Sequence, residues 1–97
     1  MTPPIQVGEK RREARHSADG SVRVSYFDPQ RVEIVGRLID VSQSGFRMEH
    51  RCASLSTGQM VEFSHAEAAG HARVMWKRIM GERVESGFLV VPSREDF

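Results

Sequence analysis

Two short polar clusters contain the residues of this sequence best suited to binding chemistry. In the first, Arg11 and Arg15 stand four residues apart within a charged run. In the second, Asp40, Ser42 and Gly45 follow the pattern D-x-S-x-x-G. An arginine fork donates paired hydrogen bonds to phosphate oxygens, fits the O6 and N7 atoms of guanine, and stacks its flat face on a base. These residue types therefore favour recognition of a planar, anionic ligand.

The spacing of the two arginines allows both to reach one ligand from the same side. Residues four apart are about 6 Å apart on one face of a helix and about 13 Å apart along one face of a strand. The segment 10–17 can be a helical turn or an extended arm, and both alternatives satisfy this requirement. In a strand, Arg12 points to the other side, where it contacts the ligand a second time or only solvent.

The second cluster supplies groups that arginine lacks. An ionised Asp40 accepts hydrogen bonds, from the N–H groups of a guanine edge or from an arginine. Ser42 can donate to phosphate or fix the turn, and Gly45 permits a positive φ and a close approach of ligand to backbone. Alone, each cluster has an ordinary explanation, as a solvated charged face or a capped turn. Their order and spacing in the sequence, taken together, indicate one ligand-binding site.

The sequence around these clusters predicts six short β-strands. Apolar and polar residues alternate with the period of a half-buried strand, and glycine, proline and aspartate mark the turns between runs. The predicted strands cover residues 21–26, 32–41, 46–49, 60–63, 72–77 and 84–91. Phe46, Phe63 and Phe88 are predicted core residues, and Trp76, which alternates in phase with Val74, is predicted in the core or at the rim. The fold class is therefore all-β, a closed or nearly closed six-stranded antiparallel barrel.

A chain of 97 residues has room for one domain. Residues 1–9 contain two prolines and no periodicity, so we expect a flexible N-terminal segment. Residues 10–92 form the barrel domain with its ligand-binding arm, and residues 93–97 form a tail that leaves room for little or no C-terminal helix.

In this order and at this spacing, the two motifs resemble the ligand signature of the PilZ family, small bacterial β-barrel domains that bind the second messenger cyclic di-GMP. The resemblance covers roughly residues 10–91 and implies the same six-stranded antiparallel barrel. It implies that Arg11 and Arg15 contact phosphate and guanine, and that Asp40, Ser42 and Gly45 form the floor of the site.

Four other residues are candidates for additional ligand contacts: Lys10, Arg12, His16 and Arg47. The resemblance places Lys10 where the family tunes ligand stoichiometry. A basic residue there favours an intercalated ligand dimer, and binding of a ligand monomer stays open. Arg47 alternates with Phe46 and is predicted to face outward near the ligand.

The resemblance implies a receptor without enzymatic activity. Cyclic di-GMP is the expected ligand, with no other cofactor, and binding is expected to rearrange the arm and signal to a separate, unknown effector protein. Two alternatives stay open: a PilZ-like docking module that does not bind nucleotide, and a small barrel that binds RNA or single-stranded DNA. The last alternative requires exposed aromatics along a basic groove.

Composition narrows the function classes. A net charge of +1 is too neutral for general binding to a nucleic-acid polymer. The sequence has no apolar run near the roughly 20 residues of a membrane span, and Cys52 is its only cysteine. Residues 1–8 lack an apolar run after a basic start, so no signal peptide is expected. We therefore expect a cytoplasmic protein.

Neither a metal site nor a catalytic site is predicted. The four histidines, His16, His50, His65 and His71, show none of the close spacings of metal ligands. Ser42 is not in a nucleophile elbow, because that motif needs glycine where Asp40 stands.

Overall fold

In a computed structural model, which describes residues 15–92, the chain folds into antiparallel β-strands. The strands are β1 (Arg15–Ser17), β2 (Ser21–Phe27), β3 (Arg31–Ser42), β4 (Gly45–His50), β5 (Met60–His65), β6 (Ala68–Met80) and β7 (Arg83–Val91). No helix occurs between residues 15 and 92, so the predicted all-β class is confirmed. The predicted N-terminal segment, the arm residues Lys10, Arg11 and Arg12, and the predicted tail lie outside the described residues.

Six of the strands close into a barrel. Their order is β3-β2-β5-β6-β7-β4, and β4 pairs back onto β3. Every one of these pairings is antiparallel. The predicted six-stranded antiparallel barrel is therefore confirmed, and closure removes the open edges that a flat sheet would expose.

The seventh strand, β1, lies against the barrel beside the end of β3. Arg15 pairs with Ser42 and Ser17 with Asp40, whereas β2 pairs with β3 only as far as Arg37. Strand β1 therefore continues the line of β2 along β3. Of the two conformations that the sequence left open for this segment, Arg15 has the extended one.

The core of the barrel is aromatic at the end near the β3–β4 turn. The Phe46 ring is stacked on Phe88 at a centroid distance of 4.6 Å and tilted against Phe63 at 4.8 Å. Leu38 and Met48 are fully buried below it. The three phenylalanines predicted for the core are buried, as the inward positions of strands with alternating faces require.

Two β-bulges decide which residues point outward. In β3 the register shifts between Leu38 and Asp40, and in β6 it shifts between Val74 and Trp76. Residues two apart on a regular strand share a face, but the extra residue of a bulge reverses that relation. Leu38 and Val74 are therefore buried, whereas Asp40 and Trp76 lie opposite outward-facing positions of their partner strands.

Candidate functional site

The two bulges align four residues in one row across the outside of the barrel. Asp40 pairs with Arg47, Arg47 with Gly87, and Gly87 with Trp76. The row crosses β3, β4, β7 and β6, and three interstrand spacings give it a length of roughly 14 Å. We call these four residues the site row.

Asp40 joins two arginines from different strands. Nη1 of Arg15 donates to Oδ1 of Asp40 at 2.7 Å. Nε of Arg47 donates to both carboxylate oxygens, at 3.1 Å and 2.9 Å, and Nη2 of Arg47 also donates to Oδ2. The Asp40 side chain is only 9% exposed, against 41% for Arg15 and 36% for Arg47. A buried carboxylate thus holds two half-exposed guanidinium groups together.

The electrostatics of this cluster favour the ionised carboxylate. Burial alone would raise the pKa of Asp40, but hydrogen bonds from Arg47 and Arg15, together with their positive charges, hold that pKa below its usual range. In return, the hydrogen bonds to Asp40 raise the pKa of Arg47. The cluster therefore has two positive charges and one negative charge at neutral pH, and its exposed side is cationic.

Ser42 and Gly45 complete the turn that supports the arginines. Oγ of Ser42 accepts a hydrogen bond from Nη2 of Arg15 at 3.1 Å and lies 3.5 Å from the carbonyl oxygen of Gly45, to which it donates. Positive φ occurs at four other described glycines and not at Gly45, so that part of the expectation is wrong. A side chain at Gly45 would collide with the carbonyl oxygen of Phe88. Glycine is needed there because the backbone of β7 approaches closely.

A shallow pocket of about 190 Å³ opens beside the two arginines. Arg15, Arg47 and Gly45 line one side of it, and the apolar side chains of Met75, Trp76 and Leu89 line the other. These three apolar residues are 46%, 38% and 40% exposed. The pocket thus combines a cationic side with an apolar, aromatic side.

Trp76 owes its position to Gly87. The Nε1, Cε2 and Cζ2 atoms of the indole all lie closer than 3.0 Å to the place where a side chain of residue 87 would begin. The ring therefore rests on the bare backbone of β7, with part of its surface exposed to the pocket. Only glycine at that position allows such contact.

Most of the predicted site residues within residues 15–92 come together. Arg15, Asp40, Ser42, Gly45 and Arg47 form one cluster. His16 does not join it: its ring points to the other side of β1, where Nε2 lies 3.1 Å from a carboxylate oxygen of Glu67. Arg11, Lys10 and Arg12 lie outside the described residues.

Sequence reasoning missed Trp76 as a site residue. Its alternation with Val74 predicted that it would lie in the core or at the rim, but the bulge in β6 turns it onto the outer face. Two signals could have indicated this position. Val74, Met75 and Trp76 are three apolar residues in succession, which breaks the alternation, and a glycine inside a predicted strand marks a close approach.

Three further findings concern metal binding, membrane helices and similarity to known proteins. Residues 15–92 contain no group of three or more His, Cys, Asp and Glu side chains placed to hold a metal ion. In the same range, no helix is long and apolar enough to cross a membrane. Comparison of the sequence with models of known protein families and with curated proteins found no match.

Proposed function

We propose that this protein is a PilZ-like receptor for cyclic di-GMP that works as an adaptor. One observation carries the proposal: Arg15 and Arg47, from different strands, are held on the buried carboxylate of Asp40 beside a pocket with an aromatic side. A cyclic dinucleotide has the matching groups, since it offers two anionic phosphates and two planar bases.

The proposed contacts follow from the chemistry of the two sides. Arg15 and Arg47 supply hydrogen-bond donors to phosphate oxygens or to a guanine edge. Trp76 supplies a flat, partly exposed surface on which a base can stack, an interaction worth roughly 1–3 kcal/mol per base. Asp40 and Ser42 hold the arginines in place and are not themselves turned toward the ligand, because their oxygens are engaged by Arg15 and Arg47.

The arm gives the receptor its output in this proposal. Arg11 precedes β1 by only four residues, and the resemblance assigns it to the same ligand. A dianionic ligand between Arg11, Arg15 and Arg47 would offset the mutual repulsion of these cations and fix the arm against the barrel. The changed arm would then be read by an effector protein.

Calorimetric titration of the protein with cyclic di-GMP tests the proposal. Arg15→Ala removes charge-assisted hydrogen bonds from a guanidinium that can bind bidentately. We therefore expect the Kd of this variant for cyclic di-GMP to be about 10- to 100-fold higher than that of the parent. Arg15→Lys keeps the charge and loses the fork, and should recover only part of the affinity. Trp76 is the only tryptophan, so its fluorescence reports binding at the pocket alone.

The control is Arg23→Ala. Arg23, on β2 and outside the pocket, has a side chain that is 61% exposed and ion-paired with Glu33 of β3. Its removal should change the Kd by less than about twofold. Equal affinity of Arg15→Ala and the parent protein would refute the proposed site. A folded parent protein that gives no heat and no fluorescence change with the ligand would favour the docking module that does not bind nucleotide.

A further inference from the structure

A second row of charged residues crosses the barrel next to the site row. Arg37 pairs with Glu49, Glu49 with Glu85, and Glu85 with Arg78. On β4, β7 and β6 this row lies two residues beyond the site row, about 7 Å farther along the strands. Arg83 joins it from the start of β7, with Nη1 at 3.2 Å from Oε2 of Glu49.

The row presents its arginines to solvent and its glutamates to the sheet. Arg37, Arg78 and Arg83 are 59%, 62% and 57% exposed, but Glu49 and Glu85 are only 19% and 16% exposed. Arg37 and Arg78 each donate through Nη2 to their glutamate at 2.6 Å. Because each contact uses one nitrogen of a guanidinium that has five N–H donors, the glutamates hold the arginines in position without occupying them fully. We call Arg37, Arg78 and Arg83 the arginine surface.

Charge is distributed unevenly around the barrel. Strands β4, β6 and β7 carry five basic residues against two acidic ones: Arg47, Arg73, Lys77, Arg78 and Arg83 against Glu49 and Glu85. Strands β2 and β5 with the connections on both sides of β2 and after β5 carry one basic residue against four acidic ones: Arg23 against Asp19, Asp28, Glu62 and Glu67. The β4–β5 connection and the β6–β7 turn add one of each, Arg51 and Glu82, which pair with each other. One side of a nearly neutral molecule is therefore basic.

We propose that the arginine surface is the docking site for an acidic segment of the effector protein. The inference rests on the proposed adaptor function, which requires an effector, and it names the chemistry by which the effector would be recognised. Guanidinium groups held at fixed positions match carboxylates on a protein surface, and complementary charge speeds association and selects the partner.

A protein segment fits this surface better than a nucleic acid. Two of its arginines, Arg37 and Arg78, stand at the ends of a row roughly 14 Å long, with two glutamates between them that would repel a continuous line of phosphates. No aromatic side chain belongs to the row, so it offers no platform for stacked bases.

The neighbouring position of the site row provides a means of coupling. Arg47 and Glu49 lie two residues apart on β4, and the charge of Glu85 acts on Arg47. An anionic ligand held by Arg47 changes the electrostatic potential at both glutamates. Ligand binding should therefore alter the affinity of the arginine surface for an acidic partner, although neither surface overlaps the other.

The test uses a labelled peptide of about ten residues in which two Asp-Glu pairs are separated by about four neutral residues, roughly the 14 Å between the ends of the row in an extended chain. It is titrated with the 97-residue protein by fluorescence anisotropy. The double variant Arg37→Gln/Arg78→Gln should weaken peptide binding by about tenfold, because two exposed charge pairs are lost. The matched control, Arg23→Gln/Arg31→Gln, removes the same charge from β2 and the start of β3 and should change the Kd by less than about twofold. Amide shifts caused by the peptide should fall on β3, β4, β6 and β7.

Four results would overturn the inference: no peptide binding by the parent protein, equal losses in the two double variants, tighter binding of a thymidine oligonucleotide of equal charge, or self-association abolished by the Arg37→Gln/Arg78→Gln change. Calorimetry of the same variant with cyclic di-GMP separates the two proposals. Retained nucleotide binding with lost peptide binding supports both. Absent nucleotide binding in the parent protein refutes the receptor function, whatever the peptide does.

Discussion

At the scale of single residues, Asp40 is the centre of the candidate site because it is the buried anion between two cations. Asp40→Asn keeps the shape and removes the charge that holds Arg15 and Arg47. We expect a loss of about 1–3 kcal/mol in the free energy of unfolding at neutral pH. The control Asp19→Asn, in the exposed connection before β2, should stay within about 0.5 kcal/mol of the parent.

The pH dependence of the same variant gives an independent check. Because the pKa of Asp40 is lower in the folded protein than in the unfolded chain, its ionisation stabilises the fold above about pH 4. That contribution is lost as the pH falls through the folded pKa. Urea denaturation of the parent and Asp40→Asn should therefore give stabilities that converge under acid conditions. A difference that is the same at pH 7 and pH 3 would contradict the assigned role.

Which residues belong to this cluster could be predicted from short sequence motifs, but the role of each residue could not, where that role depends on a distant part of the chain. The two sequence motifs predicted that Arg15 shares a site with Asp40, Ser42 and Gly45, because such motifs can be recognised from residue types and spacing alone. What each residue does depends on its neighbours in space. Gly45 is required by the carbonyl of Phe88, on a strand more than forty residues away in the sequence, and no local pattern contains that information.

At the scale of elements, the two bulges position the site, and they mark the limit of pattern reasoning. Alternation predicted six strands at nearly the observed places, because burying one face of a strand requires period two. A bulge adds one residue and reverses the phase. Strict alternation therefore placed Trp76 with Val74, whereas the observed register turns Trp76 outward. The strands themselves were predictable, but the outward direction of Trp76 after the β6 bulge was not.

The far end of β4 is fastened to β7 by a buried histidine. The backbone N–H of Cys52 donates to Nδ1 of His50 at 3.0 Å, so Nε2 carries the hydrogen and donates to Oγ of Ser86 at 2.8 Å. His50 is 3% exposed and Ser86 is fully buried. Protonation of His50 would remove the acceptor for Cys52 and bury a charge. Accordingly, burial, with a smaller effect of Lys77, lowers the pKa of His50.

This pair predicts a loss of stability in mild acid. The unfolded chain takes up a proton at His50 near pH 6.5, whereas the folded protein does so only at lower pH, so stability falls as the pH drops below about 6.5. Burial lowers the pKa of His65 too, which adds an effect of the same sign. Urea denaturation between pH 7.5 and pH 5 should therefore show a smaller pH dependence for His50→Gln than for the parent. A pH dependence of His50→Gln equal to or larger than that of the parent would contradict the role of His50.

At the scale of the whole molecule, barrel closure makes one core common to all six barrel strands. Predicting that closure required only the number of strands and their antiparallel turns, but the position of β1 could not be predicted. A three-residue strand of exposed polar side chains has no apolar alternation. It is held instead by pairing with β3 and by the contacts of Arg15 with Asp40 and Ser42, which depend on the finished barrel.

Because all six barrel strands share one core, a substitution in that core should destabilise the whole barrel. Phe46 is 1% exposed and contacts Phe63 and Phe88, so Phe46→Leu should lower the free energy of unfolding by about 1–2 kcal/mol. Phe27→Leu makes the same change at a ring that is 68% exposed and should stay within about 0.5 kcal/mol of the parent. Two signals can follow unfolding in urea. The fluorescence of Trp76 reports the outer surface, because Trp76 lies outside the core, and far-ultraviolet circular dichroism reports the strands. In urea, the two transitions of Phe46→Leu should shift together and remain superimposed, since a closed barrel with one core unfolds in a single step. Separate midpoints for the two signals would show that the outer surface around the site row opens independently of the barrel.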